Sequence, residues 1–190
     1  MAVVSIKNKL RTGNLLVGND AFGSTAFVAI ATTTVTSGVT TITFNSIPST
    51  YAHLQVRFMS INAAAQSVIM QFNGDTGSNY AKHSLNGNGS SAYGQGYATQ
   101  SYFNVQGYRV AGSTPNPVVG IVDILDYSNT NKNTTARMLS GFDANGSGEV
   151  DLNSGLWMNT AAVSSILIRL ESSGTINANS HFALYGIKSA

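Results

Sequence analysis

Residues 117–127, PVVGIVDILDY, are apolar on both alternating faces. In an extended chain Val118, Val122 and Ile124 fall on one side, and Val119, Ile121 and Leu125 on the other. Such a strand keeps no side for water, so it predicts either the middle of a sandwich or a strand covered by a second subunit. The polar run SNTNKNTT that follows is a turn, and ARMLSGF (136–142) returns from it. The pair predicts a long central hairpin. Upstream, TAFVAIATTTV (25–35) alternates with many β-branched residues and predicts a strand, with a hairpin turn at Ser37-Gly38 and VTTITF (39–44) as its return. In AHLQVRFMS, Leu54, Val56 and Phe58 point inward while His53, Gln55 and Arg57 point outward. SVIMQF (67–72) is another strand. Between Asn86 and Gly96 the chain is rich enough in Gly and Ser to predict an exposed loop with aromatic tips. Strand character resumes from Ser101 to Val110. EVDLNSGLWM, VSSILIRLE and SHFALYGI then give three closing strands, the last suited to the middle of a sheet.

Strand-length runs at this spacing, with no amphipathic helix among them, predict an all-β fold: an antiparallel β-sandwich or jelly roll. Residues 25–190 form one such domain. Residues 1–24 show little periodicity and predict an extended N-terminal arm and linker.

Composition narrows the reading. Charged residues are only 9%, and Gly, Ser, Thr and Asn fill the polar positions. That suits a many-turned β protein whose surface is partly covered by neighbours in an assembly. A net charge of +2 is too small for a general nucleic-acid-binding field, so no specific nucleic acid is expected. Lys7, Lys9 and Arg11 nevertheless make the arm locally basic, and Leu15, Leu16 and Val17 give it an apolar patch that needs a partner. With no cysteine, disulfides and thiolate metal sites are excluded. No segment is apolar enough to span a bilayer as a helix, and the N-terminus lacks an apolar core of signal-peptide length. No membrane partner is expected.

At FNSIPSTYAHLQVRF, QFNGDTGSNYAKH, DYSNTNKNTT, SGLW and the terminal FALYGIK, the chain resembles a family of bacteriophage virion proteins found among head-decoration, head-fibre and tail-associated proteins. The resemblance runs from about Ile42 onward, and the leader NLLVGNDAF also looks like those that precede this domain. It implies a jelly-roll-like sandwich in a symmetric oligomer, a trimer before a dimer, attached to the particle by its arm. The implied partners are the major capsid protein or tail components. The implied location is the virion, assembled in the host cytoplasm.

The candidate chemistry is sparse. FNGDTGSNY (72–80) has the residues of a tight turn, with a sugar or ion site as the functional alternative. Asp143, Asn145, Ser147 and Gly148 match part of a calcium loop, but its twelfth position is Ser154 rather than Glu, which leaves a hairpin turn. Asp123 and Asp126, three apart on a strand, cannot flank one scissile bond. Asp143, Glu149 and Asp151 could supply a glycosidase pair only if the fold converges them. His53, His83 and His181 are scattered, and no metal, cofactor or catalytic residue is expected. Tyr93, Tyr97, Tyr102 and Tyr108, with Phe103, form either a sugar-stacking platform or interface anchors.

The expected function is therefore a non-enzymatic virion protein, a capsid decoration or cement protein anchored by Lys7, Lys9, Arg11 and Leu15 to Val17. Val119, Ile121 and Leu125 are its expected oligomer face. The alternative is a tail or fibre domain that recognises host-surface glycan through Tyr93, Tyr97, Tyr102 and Tyr108.

Overall fold

Alternating β-branched and aromatic residues bounded by Gly, Asn and Ser favour short antiparallel strands, because each strand can bury one face. The computed structural model describes residues 26–106 and 117–188, and these contain twelve strands and no helix. They are β1 (Phe27–Thr34), β2 (Thr41–Phe44), β3 (His53–Ser60), β4 (Val68–Phe72), β5 (Tyr80–Gly87), β6 (Ala92–Gln100), β7 (Phe103–Asn104), β8 (Val118–Leu125), β9 (Thr134–Asp143), β10 (Gly148–Trp157), β11 (Ile166–Leu170) and β12 (His181–Ile187).

Two antiparallel sheets face each other. The larger runs β1-β12-β3-β8-β9-β10-β5-β6 and the smaller β2-β11-β4-β7. Setting β5, β6, β9 and β10 aside leaves β1-β12-β3-β8 opposite β2-β11-β4-β7. That is the wiring of an eight-stranded jelly roll. The four remaining strands are two hairpins inserted between β4 and β7 and between β8 and β11, and both extend the larger sheet on the same side. The closing strand β12 does sit inside a sheet, between β1 and β3, and the central hairpin is β8 paired with β9.

Two expectations are corrected. The Ser37-Gly38 turn does not fold a hairpin: β1 pairs with β12, and β2 crosses to the other sheet to pair with β11. The Gly-rich stretch from Asn86 to Gly96 is not a loop but most of the β5–β6 hairpin, with its turn held by Asn88 Oδ1 accepting from Ser90 N at 3.0 Å and Ser91 N at 2.8 Å. Small residues there suit an edge strand as well as a loop. Described residues cover one face of β8 and leave Val119 and Ile121 exposed on the other. Among the described strands β4, between β11 and β7, is buried at all its positions, as is the two-residue β7.

The core joins at one end of the sandwich. Phe72, Tyr80, Phe103 and Trp157 pack with ring centroids 4.9–6.4 Å apart, mostly edge to face. Phe103 lies so close over Gly155 that a Cβ there would meet its ring at 2.4 Å. The turn FNGDTGSNY locks this cluster. Asn73 and Gly74 take positive φ, as the sequence suggests, and Asp75 N donates to Phe72 O at 2.8 Å. The Asp75 carboxylate accepts from Gly77 N (2.8 Å), from the Asn79 amide (3.0 Å) and from the buried Trp157 indole Nε1 (2.7 Å). Burial works against the Asp75 charge, but these bonds outweigh it and hold the carboxyl below its usual range. Asn73 meanwhile accepts from Ser164 N at 2.8 Å and Ser165 N at 3.0 Å, tying in the crossover from β10 to β11.

Asp75→Ala strands the Trp157 donor in the core, and we expect it to lower stability by roughly 2–4 kcal/mol. A melting temperature reduced by about 5–10 °C in calorimetry is the corresponding measurement. Because the folded carboxyl titrates low, wild type should lose this contribution as pH falls below the ordinary carboxyl range, whereas Asp75→Ala should show a flatter acid limb.

Candidate functional site

The two inserted hairpins create both surfaces that chemistry can use. Four extra strands extend the larger sheet, and over part of two of them, β10 and β5, the usual polarity inverts. On β10 the inward positions are Glu149, Asp151 and Asn153, while Val150 and Leu152 point out. On β5 the inward positions are Lys82, Ser84 and Asn86, while His83 and Leu85 point out.

Register turns the outward residues into rows. Ile121 pairs with Leu139, Leu139 with Leu152, and Leu152 with Leu85, so four aliphatic side chains cross four neighbouring strands in line. The next row adds Val119 and Val150 on either side of Gly141. All six aliphatic residues are 39–57% exposed. They make a continuous exposed apolar strip. A cavity of about 460 Å³ opens along it between Arg57, Val119, Ile121, Leu139 and Val150. One border of the strip is polar and already satisfied. Arg57 Nε donates to Gln55 Oε1 (2.6 Å), Gln55 Nε2 donates to Asp123 Oδ1 (2.7 Å), and Asp123 pairs with Arg137 at 3.3 Å. The Arg57 guanidinium also lies over the Phe27 and Tyr185 rings, at 5.7 and 5.6 Å from their centroids.

The residues expected at an oligomer face are split by the structure. Val119 and Ile121 lie on the strip, but Leu125 does not. It is half-buried in a row with His53 and Thr135, and Asp123 separates it from Ile121. Leu85, Leu139, Val150 and Leu152 complete the strip and were not singled out from the sequence. Their signal was present in the alternation of MLSGF and EVDLN.

The inward side forms the second surface. Lys82 is 6% exposed, with its Nζ 5.1 Å from the Tyr97 ring centroid. Burial lowers its pKa, while the Asp151 and Glu171 charges pull it back up. Beside it lies a cleft of about 90 Å³ lined by Lys82, Tyr97, Gln100, Tyr102, Asn104 and Glu171. Tyr102 donates its hydroxyl to Glu171 there.

The expected ligand tyrosines are distributed accordingly. Tyr97 and Tyr102 line this cleft, whereas Tyr93 is on β6 rather than a loop tip and donates to Glu149 Oε2 at 3.1 Å. Tyr108 and the arm residues Lys7, Lys9, Arg11, Leu15, Leu16 and Val17 lie outside the described residues.

The remaining candidates resolve into structure. Asp143 to Gly148 is a hairpin turn, with Asn145 N donating to Asp143 Oδ1 at 2.8 Å and Gly148 paired with Asp143. Glu149 and Asp151 are buried while Asp143 is exposed, so the three do not converge. Asp126, in the turn after β8, pairs with Lys132, and its backbone N donates to His53 Nδ1 at 3.0 Å. Among the described residues no three His, Asp or Glu side chains gather as metal ligands. Comparison with protein-family models, curated proteins and solved structures returns no match for this chain.

Burial is the first cause that pushes both Tyr80 and Tyr102 up to about 12. A phenol whose folded pKa lies above its unfolded value contributes stability that is complete below pH ~10 and lost as pH rises toward ~12. For the fully buried Tyr80, a gap of two units is worth on the order of 2–3 kcal/mol. Urea midpoints should therefore hold to about pH 9.5 and fall steeply above it. Tyr80→Phe should start lower and fall less.

Proposed function

We propose that the protein is a non-enzymatic structural subunit of a bacteriophage virion, a capsid decoration or cement protein, assembling as a homotrimer through the Ile121–Leu139–Leu152–Leu85 strip. The strip is the observation that carries this reading. Six exposed aliphatic residues without a charge among them are a liability on an isolated β-sheet, and an asset where another copy covers them. The resemblance in the FNGDTGSNY, DYSNTNK and FALYGIK motifs supplies the virion context, and the low charge of the whole chain agrees with a crowded, fixed setting.

The shape of the strip bears on the oligomer. It crosses four strands, about 15 Å between the outer strand axes, but is only two residue rows deep, about 7 Å. A face-to-face pair would bury the Gln55–Asp123–Arg137 border together with the strip and desolvate Arg137, which is 66% exposed. Three copies around an axis parallel to the rows would each give one wall to a narrow apolar seam and leave that border wet. Closed cyclic symmetry makes the three contacts identical. In this reading the arm, through Lys7, Lys9, Arg11 and the Leu15 to Val17 patch, attaches the trimer to the particle.

The Lys82 cleft favours a second reading, a tail or fibre domain that recognises host-surface glycan. Position on the particle separates the two. Decoration puts hundreds of copies at lattice positions, while recognition puts a few at the tail.

Light scattering on wild type should give about three times the chain mass of 19.9 kDa. Leu139→Asp should give a folded monomer with an unchanged circular dichroism spectrum, because a carboxylate in the seam would be buried without a partner. A wild-type protein that stays monomeric at tens of micromolar sinks the assembly reading.

A further inference from the structure

The cleft beside Lys82 combines groups that seldom occur together without a ligand. Lys82 is more than nine-tenths buried as a residue, and its Nζ carries three donors. Among the described residues it makes no hydrogen bond and no contact ion pair; its one close partner is the face of the Tyr97 ring. Asn104, 8% exposed, likewise leaves its side-chain amide without a hydrogen bond among those residues. Gln100 uses one amide hydrogen on Ala98 O at 3.3 Å, which leaves its carbonyl oxygen open. Glu171 accepts from the Tyr102 hydroxyl through one carboxylate oxygen, and its other oxygen remains an acceptor. Lys82 and Asn104 therefore turn their free polar atoms toward the cleft, where a polar occupant can take the place of water.

The charges decide its class. An anion would meet the Glu171 carboxylate at the wall and the Asp151 charge behind Lys82. A cation would meet the Lys82 ammonium. A neutral group that both donates and accepts satisfies every wall: a hydroxyl can accept from Lys82 while donating to Glu171, and its neighbour can bridge the Gln100 and Asn104 amides. Tyr97 and Tyr102 supply flat apolar sides to such a polyol. A cleft of about 90 Å³ takes the edge of a six-membered ring rather than a whole sugar.

We propose that this cleft is a binding subsite for adjacent hydroxyls of a neutral pyranose, with Lys82, Glu171, Gln100 and Asn104 as its polar contacts. It rests on the glycan-recognition reading and is independent of self-association. Ligand enters from the β6 edge, and a longer glycan extends from there into solvent.

The test is titration of the isotope-labelled full-length protein with galactose, glucose, mannose and N-acetylglucosamine at up to tens of millimolar, followed by amide shifts. At least one sugar should give saturable shifts confined to β6, β7 and the turn at Glu171, while inorganic phosphate and calcium give none. Lys82→Met and the milder Asn104→Ala should each weaken that binding at least tenfold. Failure of every sugar to shift these residues overturns the proposal, as does phosphate saturating the same resonances. So does sugar binding that survives in Asn104→Ala and Lys82→Met alike. Light scattering on the same samples reports self-association separately, so a failed subsite and a failed trimer are told apart.

Discussion

A buried indole N–H has to find an acceptor, and in this chain it finds the Asp75 carboxylate at 2.7 Å. Much of the structure hangs on that bond. Asp75 sits where the chain leaves the smaller sheet after β4 to begin the first inserted hairpin. Trp157 sits where the second inserted hairpin ends and the chain returns through Asn73-bound Ser164 and Ser165 to β11. Close by, Tyr127 donates to Pro48 O and its own carbonyl accepts from Val163 N at 2.8 Å, while Tyr51 covers Gly186 of the last strand. The motifs FNGDTGSNY, DYSNTNK, SGLW and FALYGIK are thus joints of one sandwich end. Their chemistry is structural, and a resemblance carried by them speaks to the fold before it speaks to a station on a particle.

The same joint makes the inversion of polarity possible. A four-stranded sheet can cover about four strands of its partner, and the Phe72–Tyr80–Phe103–Trp157 cluster marks where that cover stops. Beyond it the inner side of β10 and β5 is lined by Asp151, Asn153, Lys82 and Asn86 instead of an apolar layer, and Asn86 donates its amide to Asp151 there. With the inner side polar, the outer side carries the Leu and Val residues. One inversion of polarity on β10 and β5 therefore accounts for both the apolar strip and the polar cleft.

These causes explain which parts of the fold were legible. Period-two alternation located the central hairpin, β3 and the three closing strands, since local pattern suffices for a strand. Ser37-Gly38 looked like a hairpin because turn chemistry is local, while the choice between pairing with the preceding strand and crossing to the other sheet depends on β12, nearly the whole chain away. The stretch from Asn86 to Gly96 looked like a loop because Gly and Ser carry no burial signal, yet β6 is an edge strand with Gly94, Gly96 and Ala98 exposed on one side. For β10 the alternation was visible but its sense was not. Ordinary reasoning would send Leu152 inward and Asp151 outward, and only the length of the opposing sheet reverses that. Leu125 failed as a strip residue for a smaller reason: Asp123 interrupts the outer face of β8 and belongs to the Gln55–Arg137 border.

An apolar strip flanked by a self-satisfied polar row constrains how copies can meet. The row Arg57–Gln55–Asp123–Arg137 spends its donors and acceptors within one chain, so it offers a neighbour little attraction and costs desolvation if covered. It acts as a boundary to the contact. On the far side of the strip, β6 presents Gly and Ala outward at the open edge of the sheet, where a second backbone can approach without steric resistance.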